Sequence, residues 1–211
     1  ILVLADPSDW EILKGPLQDT FEKVLLTPQE EKVYSLQLGD VAHFETQKHN
    51  RRHTLLVVSP VDATHPVGKF VRQLLAPQVQ EAVRQGRGAV SWKRDVWAQG
   101  QILIILSGKD LETITDNIRM EADRLYRAVD EARNDRVRAL VYQYGERKDV
   151  EAQLRAEYGW SVQVPFGYRI LEAYPDSGFV VLVKQDPNRW LWVYWEDGVP
   201  PDQLTPDWCI A

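Results

Sequence analysis

The feature that most constrains this chain is the run at residues 190–195, WLWVYW. Large apolar side chains that alternate across a strand ask for cover on both of its faces. Trp190, Trp192 and Tyr194 project to one side, and Leu191, Val193 and Trp195 to the other. Two fates are open to the first row. It packs into a core, as aromatic side chains commonly do, or it stands exposed, where it would stack on sugar rings or grip a partner protein.

This run closes a longer stretch, residues 159–195, that reads as three strands. Val162, Val164 and Phe166 alternate with smaller or polar residues, residues 168–171 extend the run, and Tyr174-Pro175-Asp176-Ser177-Gly178 supplies the chemistry of a turn. Residues 179–183 form a short continuous apolar strand, and Asp186-Pro187-Asn188 makes the next turn.

Upstream, residues 1–5, 54–59 and 102–106 are apolar enough to be buried strands. Asp6, Ser8 and Asp9 offer cap oxygens to a helix reaching about residue 25, with a break expected at Gly15-Pro16. The Thr27-Pro28-Gln29 loop leads to a strand within residues 33–44. A second helix spans about residues 66–85 with a kink at Pro77, and residues 90–97 are extended. Asp110 caps a long helix carrying Leu111, Ile114, Ile118, Leu125 and Val129 at helical spacing; a shorter one follows over about residues 149–158.

The order β-α-β-β-α-β is that of a ferredoxin-like unit, with two helices on one face of an antiparallel sheet. ILVLADPSDWEIL at the start and ILIILSGKDLETI from Ile102 suggest that a related β-α-β-β unit follows. The expectation is therefore an α+β fold with antiparallel or mixed sheets. Its units are residues 1–100 and residues 101–211, the second carrying the long helix and the three-stranded C-terminal segment.

Composition narrows the function classes. The chain has 211 residues, 44% of them apolar, and a formal net charge of -6. That balance disfavours nucleic acid as a partner, because phosphate binding draws on a net basic surface. The single Cys209 excludes an internal disulfide. No stretch reaches the roughly 18 apolar residues that a membrane span needs. Ile1 begins directly in a strand and the chain ends on apolar side chains, so the expectation is that the native protein continues at both ends.

Lys48-His49-Asn50-Arg51-Arg52-His53 is the one strongly basic run. Lys48, Arg51 and Arg52 are binding candidates for an anionic headgroup, a phosphate or an acidic partner. The plainer reading is a solvated approach to the following strand. His49 and His53, with His43 or His65, lack zinc spacing, so no metal is assigned. Capping accounts for Asp6 and Asp9. Ser8, Ser59, Ser91 and Ser107 lack a nucleophile-elbow context. No catalytic residue and no cofactor follow.

Several short patterns together resemble the domain-of-unknown-function family 4837, uncharacterised envelope lipoproteins of the Bacteroidetes group. They are the opening strand with Trp10, Leu26-Thr27-Pro28-Gln29-Glu30, the basic run before an apolar strand, Trp97-Ala98 with Gln101, and Val164-Pro165-Phe166-Gly167-Tyr168. The resemblance implies an extracytoplasmic bacterial domain with a lipid anchor outside this chain. The expected function is non-enzymatic binding of an envelope protein or polymer, through Trp190, Trp192 and Tyr194 or through Lys48, Arg51 and Arg52. The alternative is a hydrolase with a carboxylate and histidine site.

Overall fold

The computed structural model describes residues 1–26, 28–44, 46 and 48–200, so Thr27 and Cys209 lie outside the described residues. The chain divides into two compact units, Ile1–Val137 and Arg138–Ala211.

The first unit opens with β1 (Leu2–Leu4), α1 (Pro7–Phe21), β2 (Val24–Leu26), β3 (Glu30–Lys32) and β4 (Gln37–Gly39). It continues through β5 (Thr54–Val58), α2 (Pro66–Leu74), α3 (Pro77–Arg84), β6 (Ala89–Arg94) and β7 (Ile102–Ser107). It then runs through α4 (Leu111–Met120) into α5 (Ala122–Val141), whose last turn crosses the boundary between units.

Five strands form one sheet in the order β4-β1-β5-β7-β6. The first four run parallel to their neighbours, and β6 alone is antiparallel. Side-chain alternation sends the two halves of each central strand to opposite faces. Val3, Leu56 and Ile104 form one cross-strand row, packed beneath Leu13 and Leu17 of α1, Ile114 and Ile118 of α4, and Leu125 and Val129 of α5. Leu2, Leu55 and Leu103 form a row facing the other way, against Val67 and Val71 of α2.

The first unit is therefore not the ferredoxin-like arrangement read from the element order. That fold places its helices on one face of an antiparallel sheet, whereas here helices cover both faces of a mostly parallel one. The physical reason lies in β1, β5 and β7, which are buried throughout except for the half-buried Thr54. Continuous apolar runs of this kind belong to strands with a helical layer on each side. The duplication read from the sequence is not shown either. Residues 102–106, read as the first strand of a second copy, belong to β7, in the same sheet as β1. The units themselves meet at residues 137 and 138, against the 1–100 and 101–211 read from the sequence.

Local signals fare unevenly. α1 runs unbroken through Gly15-Pro16, because Leu13, Leu17 and Phe21 are fully buried along one side and hold the helix together. The kink at Pro77 is a complete break, with Leu75 and Ala76 extended between α2 and α3. The long helix is likewise two, separated at Glu121.

In the second unit α6 (Lys148–Tyr158) precedes β8 (Tyr168–Tyr174), β9 (Phe179–Lys184) and β10 (Arg189–Tyr194), an antiparallel sheet in the order β10-β9-β8. Val150 and Leu154 of α6 pack on Val164, Val180 and Leu182. Residues 162–167, read as part of a strand, stay outside the sheet apart from an isolated bridge between Pro165 and Glu146. The fold class is thus mixed α and β, with one mixed and one antiparallel principal sheet.

Gly68, in the first turn of α2, illustrates how closely the elements meet. A Cβ there would lie 2.4 Å from the Ala63 carbonyl oxygen. Gly68→Ala is expected to cost about 1–3 kcal/mol, measured by urea unfolding; an unchanged midpoint would show that the turn yields freely.

Candidate functional site

The second unit carries the surface that the aromatic run anticipated. Register sets it out as a grid. Across the three strands the rows are Arg169, Val183 and Trp190, then Glu172, Val181 and Trp192, then Tyr174, Phe179 and Tyr194. These residues share the sheet face turned away from α6. A bulge at Leu171 makes this possible: it skips one residue, so that Ile170 and Ala173 pack toward α6 while Arg169 and Glu172 share the opposite face.

Val181 and Val183 are buried at the centre of the grid. Around them Trp190, Trp192 and Tyr194 are 54%, 65% and 64% exposed, and Tyr174 is 51% exposed. Tyr174 donates its hydroxyl to Glu172 Oε2 at 3.1 Å and stacks on Phe179 at a ring separation of 6.4 Å. On the opposite face Trp195 packs against Tyr158 and Trp160, with ring centroids 5.4 and 5.5 Å away.

Both fates open to the tryptophans occur. Trp10 and Trp97 join the cores of the first unit, and Trp195 that of the second, while Trp190 and Trp192 stand exposed. Sequence reasoning found the β10 row because period-2 alternation is local. It missed Arg169, Glu172 and Tyr174, whose place on the same face depends on cross-strand register and the bulge.

The basic run belongs to the first unit, in the connection between β4 and β5. Gln101 fixes its backbone. This fully buried side chain donates through Nε2 to the carbonyls of Asn50 and Arg52, at 2.9 and 2.7 Å, and accepts the Trp97 N–H at 3.1 Å. Lys48, Arg51 and Arg52 are exposed, and none forms an ion pair among the described residues. Arg51 and Arg52 line an open cleft of about 500 Å³ with Ile1, Ser35 and Gln37. Lys48, in the left-handed region at φ 56°, is not part of it.

The histidines are not gathered around a metal. Among the described residues no three His, Cys, Asp or Glu side chains are placed to hold one. His65 has both ring nitrogens engaged: Nδ1 accepts the Gly68 N–H at 3.2 Å, and Nε2 therefore carries the proton shared with Asp9 Oδ2 at 3.1 Å. The pair ties the starts of α1 and α2 together. Asp6 caps α1, accepting both the N–H and the hydroxyl of Ser8 at Oδ1.

His49 is 7% exposed, and neither of its ring nitrogens has a hydrogen-bond partner among the described residues. Burial pushes its pKa below the ordinary value, and Arg52 pushes the same way; Asp40 opposes them, and His43 adds to the lowering. The unfolded imidazole, with its pKa near 6.5, then binds a proton more readily than the folded one. Stability is full above about pH 6.5 and falls as pH drops from there through the lower folded-state pKa. In His49→Leu this part of the acid sensitivity should vanish, so that urea midpoints of the variant fall less than wild type between pH 7.5 and 5. Parallel curves for the two proteins would refute it.

Comparison with known families corrects the resemblance read from the sequence. The matching family is not 4837 but a different domain of unknown function. The lipid anchor and extracytoplasmic location, which rested on that resemblance alone, lose their basis. No helix among the described residues is long and apolar enough to cross a membrane. No curated protein and no solved structure matches the chain. The match covers residues 1–141, more than half of the chain, which therefore belongs to the domain-of-unknown-function family DUF8532.

Proposed function

We propose that this chain is a non-enzymatic binding protein and that its second unit grips a partner protein through the aromatic face of its sheet. The supporting observation is the exposure of Trp190, Trp192 and Tyr194 around the buried Val181 and Val183. Contiguous exposed apolar surface costs solubility and marks interaction sites. Its makeup fits a protein partner: Trp, Tyr and Arg are the residues over-represented where binding energy concentrates.

The hydrolase reading has less to build on. A general base needs a ring nitrogen free to take a proton from the reacting group. His65 has none free and the nitrogens of His49 are buried, which leaves the exposed His43, held by Asp40 through Nδ1 at 3.0 Å, as the carboxylate-oriented histidine on which that reading rests.

Affinity capture from the native cells under mild cross-linking, with wild type and Trp192→Ala side by side, tests the proposal. Wild type should retain a partner protein at stoichiometric yield, and Trp192→Ala should weaken the purified pair by about 30-fold, the scale of a hot-spot truncation. An identical set of captured proteins at equal yield would remove the aromatic face from consideration. Capture of a polysaccharide in place of a protein would replace the partner class.

A further inference from the structure

A second site lies in the first unit, at the carboxyl ends of β1 and β4. A cleft of about 370 Å³ opens there, between Asp6 and Pro7 after β1, Gly39 and Asp40 at the end of β4, and Pro66 and Val67 at the start of α2. Its position follows from topology. Strand order reverses at β1, with β4 on one side and β5 on the other. The connections that leave β1 and β5 lead to α1 on one face of the sheet and α2 on the other. Where such connections part, the carboxyl edge of a parallel sheet is left open, and ligands settle there.

The walls are preformed. Pro7 and Pro66 each occupy the first position of a helix, where the ring locks the backbone. Leu38, Val41 and Val67 add apolar lining. The volume sits at the small end of the range for ligand pockets.

The polar groups are two carboxylates in different states. Asp40 has both oxygens taken, Oδ1 by the Ala42 N–H at 2.8 Å and Oδ2 by His43 Nδ1 at 3.0 Å. Asp6 uses only Oδ1, for Ser8, and its Oδ2 has no partner among the described residues. The Ser8 hydroxyl and N–H hold Asp6 below the usual carboxylate range, so it is charged at neutral pH.

We propose that this cleft binds a small organic cation, a compact apolar body carrying a protonated amine that donates to Asp6 Oδ2. The choice follows by charge and coordination. An anion would meet the N-termini of α1 and α2, but Ser8 and Gly68 already give their N–H groups to Asp6 and His65, and both carboxylates repel it. A neutral ligand could donate one hydrogen bond to Asp6 but brings no charge to offset its desolvation. A divalent cation needs several further oxygen ligands, and among the described residues no three His, Cys, Asp or Glu side chains are placed to hold one. A protonated amine supplies a charge-assisted bond at the one free oxygen while the apolar walls cover its body.

The test is an NMR titration of the isotopically labelled full chain with benzylamine, benzyl alcohol and benzoate, which share a ring and differ in charge. Benzylamine should give saturable shifts at the amides of Asp6, Ser8, Gly39, Asp40 and Val67. Benzyl alcohol should bind at least tenfold more weakly and benzoate not at all. Asparagine caps a helix as well as aspartate does, so Asp6→Asn should stay folded and lose the preference for the amine. Asp40→Asn, at a position whose oxygens are already engaged, should keep most of it. Equal affinity for amine and alcohol, shifts confined to other residues, no saturable shift with any probe, or an unchanged preference in Asp6→Asn would each overturn the assignment.

Discussion

The first unit depends on burying both faces of one sheet. β5 and β7 sit at its middle, and nearly every side chain along them is removed from water. A strand of that kind is stable only between two apolar layers, because a solvated face would leave half its Leu, Ile and Val residues in water at a cost of about 25 cal/mol per Å². Helices on both sides supply the layers. α1, α4 and α5 cover one face, and α2 covers the other with Phe44, Phe70 and Trp97, whose rings lie 4.9 to 6.2 Å apart. Once connections must leave in opposite directions, the carboxyl edge opens, and the cleft beside Asp6 is a consequence of that parting.

The second unit solves a smaller problem and leaves a remainder. Within this unit α6 covers Val180 and Leu182, and no described helix of the unit covers the other face of its three strands. Antiparallel sheets commonly tolerate a wet face, but that face is then polar. Here it carries Trp190, Trp192, Tyr174 and Tyr194 instead. The bulge at Leu171 sharpens the contrast by directing Ala173 toward the helix and Glu172 away from it. Gly178 closes the turn between β8 and β9 at φ 60°, where a Cβ would lie 2.1 Å from the Trp195 carbonyl oxygen. Both the backbone angle and the close approach require glycine at that position.

Polar groups inside the first unit serve mainly to join segments distant in sequence. Gln101 holds the backbone before β5, and the Asp9 and His65 pair joins the starts of two helices. Tyr34 donates to Asp130 at 3.0 Å, and burial, with that bond second, raises the phenol pKa well above its ordinary value. Each replaces a hydrogen bond with water that burial removes, which is why such groups are seldom left single. Among the described residues His49 is one exception, with Asn50 Oδ1, Thr115 Oγ1 and Asn117 Nδ2, and at His49 the cost is expected as acid sensitivity.

Much of the local structure was legible in the sequence. The apolar runs became β1, β5, β7 and β9, Asp6 and Asp110 cap their helices, and alternation alone placed Trp190, Trp192 and Tyr194 on one face. These are effects of neighbouring residues, so a linear reading contains them. The parallel pairing of β1 with β4 and β5, the continuity of α1 through Pro16, and the grouping of Arg169 and Glu172 with the tryptophans were decided only by tertiary structure. Strand direction depends on which face each connecting helix covers, and a helix carried through a proline depends on what its other side buries. A cross-strand row depends on register. These energies arise between segments far apart in the chain, where sequence order alone does not say which surfaces meet.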